Sequence, residues 1–167
     1  MDNEIFGTYS ELVEVLRNTQ APRQVRHKAK PQYVFDQTGL IRSLRAELQK
    51  REWKRDVLFA AESATNDIRI RRVTADTLRT GVHAIFEFGN RSYYAYNLVT
   101  RVAFGYATGI VRLAVFVLPT QKFANAIDSN VVSFEQVAAE MVRLVSSLPR
   151  MVPGPMMLIG IEPENFD

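Results

Sequence analysis

An α/β fold, with a mixed central sheet flanked by helices and two helices ahead of it, is predicted by three features of the sequence. Residues 82–88, 111–118 and 156–161 are short apolar runs of strand length, and they are apolar at successive positions, as in strands covered on both faces. Between the first two, Tyr94, Leu98, Val102 and Tyr106 recur every four residues, and between the second and third, Ser133 with Gln136 opens a helical pattern over 134–148. Strand, helix, strand, helix, strand is the order of a parallel or mixed sheet with helices packed on it.

With 167 residues and 47% hydrophobic content, the chain is sized for one domain over its whole length, 1–167, with a true core. Cysteine is absent and the only histidines are His27 and His83. These counts exclude a disulfide framework or thiolate metal site and leave oxygen as the ligand for any metal. No run approaches the roughly 18 apolar residues of a membrane span, and Met1-Asp2-Asn3-Glu4 lacks the basic region of a signal peptide. A cytoplasmic address without membrane partners is expected.

The net charge of +3 is unevenly spread. Residues 21–55 hold ten basic and three acidic side chains, whereas 1–20 hold one and four. A basic block of this kind gathers phosphates, although a solvated helix face is the commoner origin of a charge run.

Each element follows from local pattern. Ile5, Tyr9, Leu12, Val13 and Leu16 place an amphipathic helix over 4–18, with Ser10 or Thr8 as the cap. Residues 21–31, fenced by Pro22 and Pro31, form a basic loop. Asp36-Gln37-Thr38 caps a helix through Leu40, Ile41, Leu44 and Leu48 to Trp53, with Arg42, Arg45, Lys50, Arg51 and Lys54 mainly on its other faces. Residues 57–61 make a short strand, and the alternation of 68–73 marks an exposed or edge strand. Asp76 follows on the approach to the central strand, 82–88, where Glu87 is the one carboxylate. Gly109 stops the aromatic helix of 91–108, Pro119 ends the strand 111–118, and 156–161 is a last buried strand.

The landmarks are Trp53-Lys54, Asp76, Glu87-Phe88-Gly89-Asn90-Arg91, Val115-Phe116-Val117-Leu118-Pro119-Thr120 and Leu158-Ile159-Gly160-Ile161-Glu162-Pro163. In that order and spacing they resemble the BglII/BstYI family of type II restriction endonucleases, over residues 36–165 and most strongly from Asp76 onward. The resemblance implies a PD-(D/E)xK core, magnesium, a homodimer, and double-stranded DNA with a short palindromic site as substrate. In that family an Asp precedes the central strand, and a Glu-x-Gln or Glu-x-Glu pair follows nine and eleven positions on, its first member binding metal. Asp76 matches the Asp, Glu87 stands at the second member, and the first is Ile85.

Isoleucine offers no ligand to a magnesium ion, which takes oxygen donors in near-octahedral geometry. Strand alternation puts Glu87 on the same face, roughly 6–7 Å along. Asp76 and Glu87 are therefore the catalytic and metal-binding candidates, with Glu47 or Glu62 as a substitute donor. His83 shares that face, and its plainer reading is a hydrogen-bonded strand residue.

Three functions compete. The first is a DNA-binding protein with a degraded or rearranged metal site, and the second an active magnesium-dependent endonuclease with a shifted carboxylate set. The third is a dimeric interaction module that has left DNA. Without activity, no cofactor is expected.

The residues just after the family's catalytic strand enter the major groove, and here they are Gly89, Asn90, Arg91 and Ser92. Asn pairs bidentately with adenine and Arg with guanine, while glycine lets backbone come close. Asn90 or Ser92 is equally a helix cap. A second polar tract, residues 120–130, corresponds to another family loop near DNA and supplies Lys122, Asn125, Ser129 and Asn130, or else is an ordinary connection. Tyr93, Tyr94 and Tyr96 suit core or dimer packing better than base stacking.

Overall fold

The hairpin at the centre of the chain closes through Thr80-Gly81, both at positive φ (49° and 78°), between the paired residues Arg79 and Val82. Two left-handed residues make the two-residue turn whose twist matches antiparallel strands, and glycine takes its share without steric cost. The computed structural model describes residues 2–26, 32–60, 73–147 and 154–164.

Five strands form one mixed sheet in the order β3 (Lys54–Ala60), β4 (Val73–Arg79), β5 (Val82–Phe86), β6 (Leu113–Pro119) and β7 (Met156–Ile161). The first three run antiparallel, and β5, β6 and β7 run parallel, so β5 is central as predicted. The helices α1 (Asn3–Asn18), α2 (Gln37–Lys50) and α5 (Gln121–Ile127) cover one face, packing on Val82, Ala84, Phe86, Val115 and Val117. The other face lies under α3 (Arg91–Tyr96), a π-helical turn (Asn97–Val102), α4 (Ala103–Ala107) and α6 (Phe134–Ser147). There Leu78, Ile85, Ala114, Phe116 and Leu118 are buried. Each such side chain contributes about 1.5–3 kcal/mol by leaving water.

The reciprocal cap read at Ser133 is present: Ser133 Oγ accepts from the Gln136 N–H and Gln136 Oε1 accepts from the Ser133 N–H, both at 3.3 Å. The first cap differs. Asp2 Oδ1 accepts from the Ile5 N–H at 2.9 Å, while Thr8 and Ser10 donate to carbonyls one turn back. The carboxylate wins because it reaches an orphan N–H that mid-helix hydroxyls do not face. Asp36 caps α2 as expected, but the helix ends at Lys50, where Glu52 takes φ 66°, and Trp53 lies beyond it. Trp53 is buried and donates Nε1–H to Glu11, which also binds Arg79 at 2.8 Å and so ties α1 to β4.

The expected basic loop is partly sheet. β1 (Arg23–Arg26) pairs antiparallel with β2 (Gln32–Phe35), two four-residue strands too short for a period to announce them, and Phe35 makes an edge contact on Phe123 at 5.0 Å. Strand β7 is half-buried, because it is the sheet edge. Most of the predicted strand 68–73 lies outside the described residues, with Val73 opening β4. Asp76 sits inside β4, the strand that leads into central β5. Among the described residues no helix is long and apolar enough to cross a membrane.

Candidate functional site

Parallel pairing sets the ends of β5 and β6 side by side, Phe86 opposite Val117, so the segments that follow them leave the sheet at one edge. The Glu87 N–H still donates to Val117 O at 2.9 Å, and burial continues through Phe88. The chain then turns. Gly89 O accepts from the Val132 N–H at 3.1 Å and Asn90 bridges Val131, joining the two polar stretches that the sequence nominates separately.

The second stretch is not a loop throughout. Thr120 caps α5, which buries Phe123, Ala124 and Ile127, leaves Gln121 and Ala126 half-buried and exposes Lys122 and Asn125. Seven residues with three inward positions are too few to stand out from a polar tract. Asn125 is exposed and accepts from Gln121 Nε2 at 2.9 Å, and Lys122 stands 3.6 Å from Glu162. Ser129 and Asn130 are exposed in the turn after α5, where Asn130 donates its N–H to Asp128 at 3.0 Å. Asn90 is likewise exposed. For Asp76, Arg91 and Ser92 the description extends to the backbone alone.

Glu87 is 3% exposed, and its Oε2 accepts from Asn97 Nδ2 at 2.6 Å in a buried hydrogen bond. Asn97 was not legible as a partner, because it lies ten residues on and reaches Glu87 only through the crossover. Its single signal is an amide between Tyr96 and Leu98, in a helical stretch rich in apolar and aromatic residues. Tyr94 packs edge-on against Phe116 at 5.6 Å, and its hydroxyl is pushed up to about 12 by burial and then by the charges of Glu140 and Glu87. His83 is fully buried on β5, and burial, with the charge of Arg101, lowers it from 6.5 to about 3, so the imidazole is neutral. Of the three tyrosines, Tyr94 belongs to the core, whereas Tyr93 and Tyr96 are exposed.

Position 85 lies in the core. Ile85 is 0% exposed within the apolar cluster of Leu78, Val102, Phe116 and Leu118. Pairing of β4 with β5 stops at Thr77↔Ala84, so position 76 and positions 85–87 lie beyond the last pair, at the end of the hairpin away from its turn. Glu47 is no substitute donor: it pairs with Lys50 on α2, across the sheet from Ile85. Glu62 lies outside the described residues. Among the described residues, no group of three His, Asp or Glu side chains is placed to hold an ion. Among the described residues, Ile85 supplies no oxygen at this position to a magnesium ion, which needs several in its shell.

Comparison with known proteins gives the same architecture. The family model for restriction endonuclease BglII/BglIII matches residues 2–161. The solved structure of restriction endonuclease BglII complexed with a DNA 16-mer superposes with a TM-score of 0.76 at 15% identity, covering 96% of this chain and 73% of that one. Free BglII superposes with a TM-score of 0.68 at 16% identity, with 96% and 74% covered. No curated protein matches the chain.

Proposed function

Since the chain belongs to the BglII/BglIII restriction endonuclease family, we propose that it binds double-stranded DNA as a homodimer and does not cleave it. The observation that carries this reading is the contrast within one short stretch. Ile85 is sealed among apolar side chains where the family chemistry needs a carboxylate, while three residues beyond Glu87 the chain presents exposed Asn90, bridged to Val131 at the end of the second polar segment. Asn90, Arg91, Ser92, Lys122, Asn125, Ser129 and Asn130 are the residues assigned to DNA. Amide and guanidinium side chains read base edges, and the ammonium of Lys122 serves the phosphates. A two-fold symmetric duplex offers two equal half-sites, which a dimer matches. Exposed Tyr93, Tyr96, Phe104, Val142 and Val145, all on the helices of the second face, support a second copy packing there.

Binding to duplex DNA should weaken steeply with salt, because neutralising each phosphate releases counterions. Supercoiled plasmid should survive long incubation with magnesium or manganese. Asn125→Ala and Asn130→Ala should narrow the preference between sites, whereas Lys122→Ala should weaken all duplexes alike. Equal losses on specific and random duplexes for all three would contradict base reading.

One observation favours an active enzyme instead: Glu87 keeps a buried carboxylate one pleat from position 85. Plasmid cleavage dependent on magnesium and abolished by Asp76→Ala or Glu87→Ala would replace the first reading with that one. Absence of any salt-sensitive duplex binding would favour an interaction module.

A further inference from the structure

We infer that Glu87 and Asn97 form a buried tie that positions the turn at residues 89–92, so that the carboxylate serves discrimination between DNA sequences. The inference rests on the DNA-binding reading above and gives Glu87 a task that needs no metal.

Glu87 is held through its backbone and through its carboxylate. Its backbone N–H is held by Val117 O, its Oε2 takes the amide of Asn97 at 2.6 Å, and a Cβ placed on Gly89 would come 3.6 Å from its Oε1. A side chain at position 89 would thus stand in ordinary contact with both the Glu87 carboxylate and, also at 3.6 Å, the ring of Tyr93, so Gly89 lies between the two. Asn97, 9% exposed, begins the π-helical turn Asn97–Val102, an uncommon geometry found mostly as single turns and often at functional sites. Its wider spacing changes where side chains project relative to a regular α-helix, and here the amide projects toward β5. Beyond the tie, Gly89 O and Asn90 are fastened to Val132 and Val131. The polar residues after β5 thus stand on a frame fixed at both ends, and readout geometry is held when its supporting shell is held. Neither Glu87 nor Asn97 needs to touch DNA for this; both are positioning residues.

The test uses the full chain, a duplex selected by the wild-type protein from a random library, and a random-sequence duplex as reference. Glu87→Ala and Asn97→Ala should each cut the ratio of the two affinities by about tenfold, with a smaller loss on the random duplex. The double variant should lose little more than either single one, as coupled partners do. Glu87→Gln keeps an oxygen acceptor for Asn97 Nδ2 and should retain the ratio to within about threefold. If Glu87→Ala does not fold, Asn97→Ala decides alone, with faster amide exchange at Gly89 and Asn90 expected in it. Unchanged discrimination in both alanine variants overturns the inference while leaving DNA binding intact. A loss in Glu87→Gln as large as in Glu87→Ala also overturns it, because charge and not the tie would then be what matters. Absence of wild-type duplex binding removes the DNA-binding reading and this inference together.

Discussion

His83 is an imidazole shut inside a five-stranded sheet, and its cost depends on pH. Burial, and then the charge of Arg101, hold it near 3 in the folded chain, against 6.5 when exposed. Between those values the unfolded chain takes up a proton that the folded chain refuses. Stability therefore rises with pH across that window and is lost as pH falls through it, at about 1.4 kcal/mol per unit at most. Urea midpoints measured from pH 7 down to 4 should fall less steeply for His83→Gln than for the wild type; parallel slopes would contradict this. Thr77 raises a related question. It is fully buried on β4, and its Oγ1 has no hydrogen-bond partner among the described residues. Thr77→Val replaces that hydroxyl with a methyl of similar size, and should raise the urea midpoint by about 1 kcal/mol of stability with an unchanged slope. A lower midpoint would reveal a partner for the hydroxyl.

Elements held by a local signal are the ones whose loss is easiest to forecast. In α6 the Ser133 hydroxyl caps the Gln136 N–H and also donates to Gln121 Oε1 at 2.9 Å, linking the first turns of α6 and α5. Ser133→Ala should cost about 1 kcal/mol or somewhat more by chemical denaturation, and a neutral result would show that the cap is dispensable. That helix was legible because its cap and apolar stripe lie within four residues of one another, and β5 and β6 were legible because covered strands are apolar at nearly every position. What escaped has a common physical origin. The β1–β2 pair has only four residues in each strand, and its Phe35 packs against Phe123, nearly ninety residues away. Helix α5 is too short for its period to register. The end of α2 at Lys50 goes with the positive φ of Glu52 and with the bond from Trp53 to Glu11, and the second depends on α1. The candidate site divides the same way. Ile85, Glu87 and the turn after them were readable along the strand, whereas Asn97 and the bridge between Asn90 and Val131 exist only once the crossover helix and the β6 segment have packed.

For the molecule as a whole, the two layers of helix bury the central strands β5 and β6 at every position, Ile85 included. A carboxylate introduced there would be taken out of water beside Glu87 and within the cluster of Leu78 and Phe116. Ile85→Glu should therefore destabilise the fold by about 3 kcal/mol, the scale of burying an uncompensated polar group, and lower the melting temperature by roughly 10 °C in a chain of this size. A dication that binds only the folded form restores stability in proportion to the logarithm of its concentration over Kd, about 2.7 kcal/mol at a hundredfold excess. Magnesium should accordingly raise the melting temperature of Ile85→Glu and leave that of the wild type unchanged. Calcium, which takes the same oxygen ligands with looser geometry, should act in the same direction. An equal rise in the wild type would mean that Asp76 and Glu87 already hold the ion, and the non-cleaving reading would then give way to the active one. A variant that is destabilised and insensitive to either ion would mean instead that the site had lost more than the side chain at position 85.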